Sequence, residues 1–313
     1  MRAVIMNTFG SPDVLHESEV PDAPAPGPGQ VTVRIEAVSV NPVDNQVRSG
    51  SKGDELTVPL PMILGWDLSG RVEATGPGAD RFAVGDPVVG MSAQAGTGLG
   101  TWAERVTIGE DLLAPAPHSL GLREAAALPL AALSVYQPFA RLPLPPGGTI
   151  LVTGGVGALG GYALQLARLR GWHAAALVRA KDTDLARELG AQEVHTSVEE
   201  ARRAGGYDVV FETAGIPDAI KAVKDGGRLV TVVPTVVPPA ERGITPEISF
   251  VEQDGRALEA LVGLVDSKDL TVRVGTVHPF ARAAEAVRAF ENGGIRGKVL
   301  LVPTAHDGTA DRP

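Results

Sequence analysis

The sequence predicts an α/β protein that consists of a β-rich domain and a doubly wound parallel sheet with helices on both faces. Two patterns indicate this architecture. Short strands separated by turns fill residues 1–121, and strands alternate with helices from residue 149 to residue 233. The length of 313 residues suits more than one domain.

Residues 1–121 contain short segments typical of strands, with Pro- and Gly-rich connections such as PDAPAPGPGQ between them. Regular spacing of such strands predicts a barrel or a partly open β domain. The predicted strands are RAVIM, VTVRIEAVSV, LSGRVEATG, GDPVVGM and GTWAERVTI.

Residues 122–268 form the predicted second domain. Strands that alternate with helices make βαβ units and hence a parallel sheet. The predicted strands are TILVT, HAAALVR, EVHT, YDVVFETAG and RLVTVV. The predicted helices are LREAAALPLAALSVYQPFARL, ALGGYALQLARLR, KDTDLARELG, IPDAIKAVKDGG and DGRALEALVGLVDSKDL.

Residues 269–313 are assigned to the first domain. They contain the extended segment TVRVGTVHPF, the helix ARAAEAVRAFENGG with its glycine stop, and the final strand GKVLLV. We expect this last strand to return to the first domain. The terminal segment AHDGTADRP is expected to be frayed.

Composition argues against several kinds of partner and site. A formal net charge of −9 disfavours nucleic acid and anionic membranes. The absence of cysteine excludes disulfides and Cys-based metal sites. The uncharged run Leu142–Ala167 has the length of a membrane span, but its three prolines and seven glycines favour a buried strand, loop and helix. We therefore expect a cytoplasmic protein.

A glycine-rich loop follows the first strand of the second domain and opens a helix. Its glycines recur every third residue, as G-x-x-G-x-x-G. Backbone N–H groups at such a helix start can bind the pyrophosphate of a dinucleotide. The motif alone fits a structural turn equally well, and the surrounding βαβ pattern favours the nucleotide site. The loop comprises Gly154, Gly155, Val156, Gly157, Ala158, Leu159 and Gly160.

The end of the next strand indicates the cofactor. NAD sites usually carry an acidic residue about twenty positions after the glycines, which binds the ribose hydroxyls. Here Arg179 stands nineteen residues after Gly160, with Lys181 beside it. Cations at this place suit a 2′-phosphate and thus predict NADP(H). The alternative is that both are solvated loop residues, with Asp182 starting the next helix.

The motifs together resemble the medium-chain dehydrogenase/reductase superfamily, and within it the zinc-independent quinone oxidoreductase (zeta-crystallin-like) branch. The resemblance implies a GroES-like β domain, a Rossmann domain and an active site in the cleft between them. It also implies hydride transfer from NADPH to a quinone or an α,β-unsaturated carbonyl compound. The matching stretches include SVNPVDNQVRSG, PMILGWDLSGRVEATGPGADRFAVGDPVVG, GTWAERV, EAAALPLAALSVYQPF, VTGGVGALGGYALQLARLRG and RGKVLLV.

The resemblance also bears on zinc. Zinc-dependent relatives carry a His-Glu pair where this chain has Trp66-Asp67, and a Cys that would fall around Ser39 to Asn41. With no cysteine and no paired histidines, tetrahedral zinc has no obvious ligands, so we predict no metal. Without a Lewis acid, alcohol oxidation loses its usual alkoxide stabilisation, and easily reduced substrates are the better match.

By resemblance, Asn41 lies near the nicotinamide, and its amide could donate to a substrate carbonyl; the alternative is a turn asparagine before Pro42. Gln46 occupies a position where many relatives carry an active-site tyrosine, which leaves the proton donor open. Ser134 matches a residue that contacts the cofactor, or its hydroxyl bonds within its own helix. The strand-end residues expected at the nicotinamide half are Thr213, Ala214, Gly215, Val233 and Pro234.

Several other residues receive structural expectations. Asp44 and Arg48 are expected to form a buried or semi-buried ion pair, and Asp67 is expected to be structural with an unidentified partner. Trp66 and Met62 suit core packing better than a substrate pocket. The variable loops expected to shape the substrate pocket are residues 51–60, 92–100 and 235–250.

Two further functions stay open from the sequence. One is an enoyl reductase that acts on a thioester or polyketide intermediate. The other is a non-catalytic NADPH-binding protein. A homodimer is the assembly to be tested.

Overall fold

The computed structural model describes residues 1–51, 60–93 and 97–304. The chain divides into two compact units, Met1–Ala127 with Val274–Pro313, and Leu128–Arg273. The boundaries expected from sequence, at 121/122 and 268/269, lie six and five residues earlier. The short helix Leu122–Ala125 packs against strands of the first unit, which carries that boundary further along the chain.

The described residues form sixteen strands and eight α-helices. The strands are β1 Arg2–Met6, β2 Leu15–Glu19, β3 Gln30–Ser39, β4 Met62–Ile63, β5 Asp67–Thr75, β6 Pro87–Met91, β7 Arg105–Gly109, β8 Leu113–Pro115, β9 Thr149–Thr153, β10 His173–Leu177, β11 Glu193–His195, β12 Tyr207–Glu212, β13 Val223–Thr231, β14 Glu247–Ile248, β15 Val274–Pro279 and β16 Lys298–Val302. The helices are α1 Pro42–Ser49, α2 Leu122–Ala125, α3 Pro129–Arg141, α4 Ala158–Leu169, α5 Thr183–Glu188, α6 Val198–Arg203, α7 Gly255–Asp266 and α8 Ala283–Asn292.

The first unit contains a three-stranded sheet of order β2-β1-β4 and a seven-stranded sheet of order β15-β16-β3-β5-β6-β8, with β7 paired to β3. Strand β16 pairs antiparallel with β3, so that Leu300 lies opposite Ser39. The prediction that the final strand returns to the first domain is therefore confirmed. This pairing also brings the start of β16 to the end of β3, where polar residues collect.

Helix α1 follows β3 directly, although the sequence predicted only strands and turns in this region. Asn41 is the N-cap, Pro42 is the first helical residue, and Asp44 completes a capping box by accepting from the Asn41 backbone N–H. Such a box satisfies amides that the helix itself leaves unpaired. Asn41 is thus a cap rather than a free turn residue.

The second unit is a six-stranded parallel sheet of order β11-β10-β9-β12-β13-β14. The strand order reverses between β9 and β12, and ligands of such sheets bind at the carboxyl ends of the strands on either side of this point. The uncharged run Leu142–Ala167 contains β9, the glycine loop and most of α4, as the sequence predicted. The predicted α/β fold is confirmed.

One predicted helix of this unit is wrong. The segment IPDAIKAVKDGG forms a 3₁₀ helix, Pro217–Ala222, and then enters β13 at Val223. Val223 is buried and pairs with Tyr207 at the start of β12, so that strand pairing replaces the second half of the helix. Tertiary contacts override helix propensity here.

No helix in the described part of the chain combines the length and the apolar character needed to cross a bilayer.

Candidate cofactor and active site

The glycine loop joins β9 to α4 by a tight turn. Gly154 has a φ of +61°, and the N–H of Gly157 donates to its carbonyl oxygen at 2.8 Å. Gly157 is the N-cap of α4 in an extended conformation, and no side chain caps the helix. The turn therefore brings the uncapped positive end of α4 to the carboxyl edge of the sheet.

Three amides at this helix end have no acceptor among the described residues. They belong to Ala158, Leu159 and Gly160, and the N–H of Gly161 is the first that donates back to the loop, to Gly157. Unpaired amides that converge at a positive helix end are the donor set that binds a phosphate. The loop residues therefore fit the pyrophosphate of a dinucleotide.

Gly160 permits a close approach between the helix and the loop. A Cβ atom at this position would lie 2.2 Å from the carbonyl oxygen of Gly154. Any larger residue would push α4 away from the turn.

A buried glutamate at the end of β12, Glu212, ties the neighbouring strand ends together. Its Oε1 accepts from Thr153 Oγ1 at 3.0 Å and from the backbone N–H groups of Ala214 and Ile216. Its Oε2 accepts from Thr231 Oγ1 at 3.3 Å. Glu212 was not among the residues predicted from sequence, although an acidic residue that ends the apolar run YDVVF is a visible signal.

The predicted strand-end residues lie beside the glycine loop. Thr213 Oγ1 donates to the carbonyl of Thr153 at 2.7 Å, and a Cβ at Gly154 would lie 3.2 Å from Ala214. A Cβ at Gly215 would lie 3.7 Å from a methyl group of Val233. Residues that follow β9, β12 and β13 thus meet at one edge, with Pro234 half-buried next along the chain.

Arg179 and Lys181 lie at the next strand end, beyond β10, and both are exposed. The Arg179 side chain is 63% exposed, and its Nε lies 3.6 Å from Oδ2 of the buried Asp182. Asp182 occupies the N-cap position of α5, as expected. Arg179 therefore has an acidic neighbour but keeps most of its surface open to a ligand.

Ser134 lies in α3 and is buried. Its Oγ donates to the carbonyl of Leu130 at 2.7 Å, one turn earlier in the helix. The structure therefore shows the bond within its own helix that the sequence left as an alternative.

A second polar cluster lies in the first unit, at the end of β3. Asn41 is fully buried, and its Nδ2 donates to Asp67 Oδ2 at 2.9 Å and to Ser39 Oγ at 3.4 Å. Its Oδ1 accepts from Lys298. The amide that was expected to donate to a substrate is thus committed to the protein, while Gln46 on α1 is half-buried.

Lys298 is the partner that the buried Asp67 requires. Its Nζ lies 3.4 Å from Asp67 Oδ2, with 3% and 0% of the two side chains exposed. Burial lowers the pKa of Lys298, and the Asp67 carboxylate opposes this shift. Lys298 was not among the residues predicted from sequence, although a lysine within the apolar strand GKVLLV is a signal.

Asp44 is buried beside this pair, and the predicted ion pair with Arg48 is wrong. Asp44 accepts from the backbone N–H groups of Asn41 at 2.7 Å and Gly65 at 3.1 Å. Arg48 instead pairs with Glu291 of α8 at 2.6 Å and donates to the carbonyl oxygen of Gly10. Burial raises the pKa of Asp44 to about 7, against the lowering effects of these backbone bonds and of Lys298.

The remaining expected residues contribute little to either cluster. Met62 is buried in the core of the first unit, and Trp66 is half-buried. Of the loops expected to shape a substrate pocket, residues 52–59 and 94–96 lie outside the described residues. The terminal segment that was expected to be frayed, residues 305–313, also lies outside them. Within residues 1–51, 60–93 and 97–304, no group of three His, Cys, Asp or Glu side chains is placed to hold a metal ion.

Two family models match the chain. The alcohol dehydrogenase GroES-like domain matches residues 27–118, and the zinc-binding dehydrogenase model matches residues 188–301. A chloroplastic NADPH-dependent alkenal/one oxidoreductase of Arabidopsis thaliana is 31% identical over 314 residues, which cover 97% of this chain and 80% of that protein.

Two other proteins are similar over nearly their whole length. A chloroplast envelope quinone oxidoreductase homolog of Arabidopsis thaliana is 30% identical, over 97% of this chain and 98% of its own. A crystal structure described as an NAD-dependent alcohol dehydrogenase superposes with a TM-score of 0.85 at 33% identity, and covers 97% of this chain and 100% of that chain.

Proposed function

Since this chain belongs to the medium-chain dehydrogenase/reductase superfamily, in its quinone oxidoreductase branch, we propose that it transfers a hydride from NADPH to a quinone or an α,β-unsaturated carbonyl compound. The observation that carries the proposal is the uncapped start of α4 at the point where the strand order reverses. The unpaired amides of Ala158, Leu159 and Gly160 would hold the pyrophosphate there.

The preference for NADPH is supported by Arg179 and Lys181 at the end of β10. A cation at this place can bind a 2′-phosphate through charge-assisted hydrogen bonds. The alkenal/one oxidoreductase is named as NADPH-dependent, whereas the similar crystal structure is described as NAD-dependent. We propose NADPH as the preferred cofactor because the residues that follow β10 in this chain are basic.

The residues where zinc-dependent relatives hold their metal do not fit zinc. The sequence has no cysteine, and Trp66 occupies a ligand position. Asp67, the carboxylate beside it, is already paired with the Lys298 ammonium at 3.4 Å. A divalent cation at this place would be repelled by that ammonium.

A conjugated double bond or a quinone accepts hydride without a metal-bound alkoxide, so these substrates suit such a site. When bound, NADPH supplies the hydride, and the chain binds and orients the cofactor. The Glu212 network holds the strand ends that flank the nicotinamide half. Asn41 has its amide committed to Asp67, and the position of the relatives' tyrosine holds Gln46. We therefore propose that water protonates the product.

A substrate panel followed by the change in NADPH absorbance, a loss for the reductions and a gain for the alcohol, tests the proposal. The panel contains a simple enone, a benzoquinone, an enoyl thioester and a primary alcohol with NADP⁺, each run with both nicotinamide cofactors. Turnover of the enone or the quinone with NADPH is expected. Faster turnover of the thioester would favour an enoyl reductase, and NADPH binding without any turnover would favour a non-catalytic protein.

Location and assembly stay predictions. Cell fractionation checks the expected cytoplasmic location, and size-exclusion chromatography checks for a homodimer.

A further inference from the structure

Arg273, the last residue of the second unit, contacts the backbone of the glycine loop. Its Nη2 donates to the carbonyl oxygens of Val156 at 3.0 Å and Gly157 at 2.7 Å. These are the two carbonyls immediately before the first residue of α4. An arginine that is 116 positions away in the chain thus braces the turn where the pyrophosphate would bind.

The sequence of α4 makes room for this side chain. A Cβ at Gly161 would lie 2.2 Å from Arg273 Nη2 and 3.0 Å from its Cζ. The second glycine of the pair GG at 160–161 therefore leaves space for a guanidinium, whereas the first permits contact with the loop. The position of Gly161 is an independent sign that this contact is built into the chain.

The charge of Arg273 is poorly balanced within the protein. A cation at a helix N-terminus is unfavourable, because that end already carries positive partial charge. Arg273 forms no ion pair within the described residues, and its Nη1 is buried without a hydrogen-bond partner there. Burial also lowers the pKa of Arg273. A bound anion at this helix end would balance the charge.

We propose that Arg273 is a positioning residue for the pyrophosphate of the dinucleotide, an inference that rests on the proposed function. The C=O of Gly157 and the N–H of Ala158 share one rigid peptide plane. A guanidinium on that oxygen therefore fixes the direction of an unpaired N–H and polarises it as a donor. Arg273 thus acts through the loop backbone, and its charge complements the phosphates.

Binding measurements by calorimetry on the full chain test this role. Arg273→Met removes the charge and the hydrogen-bond donors while it keeps a side chain of similar length. We expect the affinities for NADPH and NADH to fall equally, by about tenfold, or about 1.4 kcal/mol. ADP-ribose, which carries the pyrophosphate, should weaken to the same degree. Adenosine 2′-phosphate, which lacks it, should bind as it does to the wild type.

Two further variants separate positioning from general damage. Gly161→Ala places a methyl group where the guanidinium lies, yet alanine has a higher helix propensity than glycine. We expect this variant to keep its thermal stability and to bind both cofactors as weakly as Arg273→Met does. Arg273→Lys retains the charge and one donor, so it should recover part of the affinity.

A matched control is Arg168→Met. Arg168 is an exposed arginine on the same helix, and it donates to the carbonyl of Asp269 at 3.3 Å, away from the loop. Its replacement should leave all four ligands unaffected. The inference is overturned if Arg273→Met binds NADPH and ADP-ribose as tightly as the wild type does. It is also overturned if the affinity for adenosine 2′-phosphate falls as much as the affinity for the dinucleotides. A wild type that binds no dinucleotide refutes the proposed function itself.

Discussion

Replacement of Gly157 by aspartate is expected to remove tight cofactor binding while the protein stays folded. Gly157 is the N-cap of α4, with φ −66° and ψ −179°, a conformation that aspartate adopts readily. An N-cap aspartate accepts from the second or third amide of its helix. In this chain those amides belong to Leu159 and Gly160, which the pyrophosphate would otherwise use.

The substitution should change the stability of the protein only slightly but weaken NADPH binding strongly. A Cβ at Gly157 meets only the Gly154 carbonyl, at 3.1 Å, so a shift of a few tenths of an ångström suffices. The gain of a cap over glycine is a few tenths of a kcal/mol, and a carboxylate at a helix start adds about 0.3–1 kcal/mol, so stability should rise by no more than about 1.5 kcal/mol. The loss of two charge-assisted bonds costs about 3 kcal/mol or more, which is over a hundredfold in Kd.

Calorimetric titration with NADPH and a denaturant melt of the same samples measure both quantities. Gly157→Asn is the matched control, because asparagine caps the helix without the charge and should lose less affinity. If Gly157→Asp binds NADPH like the wild type, the loop is a structural turn and the placement of the pyrophosphate is refuted.

Three other predictions follow from the remaining features. Chelator treatment should leave turnover unchanged, since the sequence has no cysteine and Lys298 neutralises Asp67; loss of activity together with stoichiometric zinc would contradict this. NADPH should bind at least about tenfold more tightly than NADH, and Arg179→Ala should shrink this ratio by weakening NADPH alone; equal wild-type affinities would show that Arg179 is only a solvated residue. The folded protein holds the Asp44 proton up to about pH 7, whereas the ordinary value is 3.8, so the free energy of unfolding should fall as pH rises between these values, by at most about 4 kcal/mol. Asp44→Asn should flatten this slope in denaturant melts, and an unchanged slope would assign it to other groups.

The glycine loop was predictable because its signals are local. Strand, glycines and helix follow one another within about twenty residues, and the βαβ rule then places the loop at the carboxyl edge of the sheet. Helix α1 was also within reach, because Asn41, Pro42 and Asp44 form a capping-box pattern that the sequence analysis did not use.

The buried cluster was out of reach for a different reason. Asn41 and Lys298 are 257 positions apart and meet only because β16 pairs with β3. Likewise, the pairing of Val223 with Tyr207 ended a helix that propensity alone would have continued. Contacts that depend on long-range strand pairing have only a weak signal in the local sequence, such as one lysine in an apolar strand.

Hydride transfer itself can be measured most directly with NADPH deuterated at nicotinamide C4. The chelator-treated protein is incubated with a simple enone, and the product is analysed by mass spectrometry and NMR. The expected product is a saturated ketone with deuterium at the β-carbon and a solvent proton at the α-carbon. A protein that binds NADPH but neither places deuterium at the β-carbon of an enone nor oxidises NADPH in the presence of a quinone would contradict this mechanism.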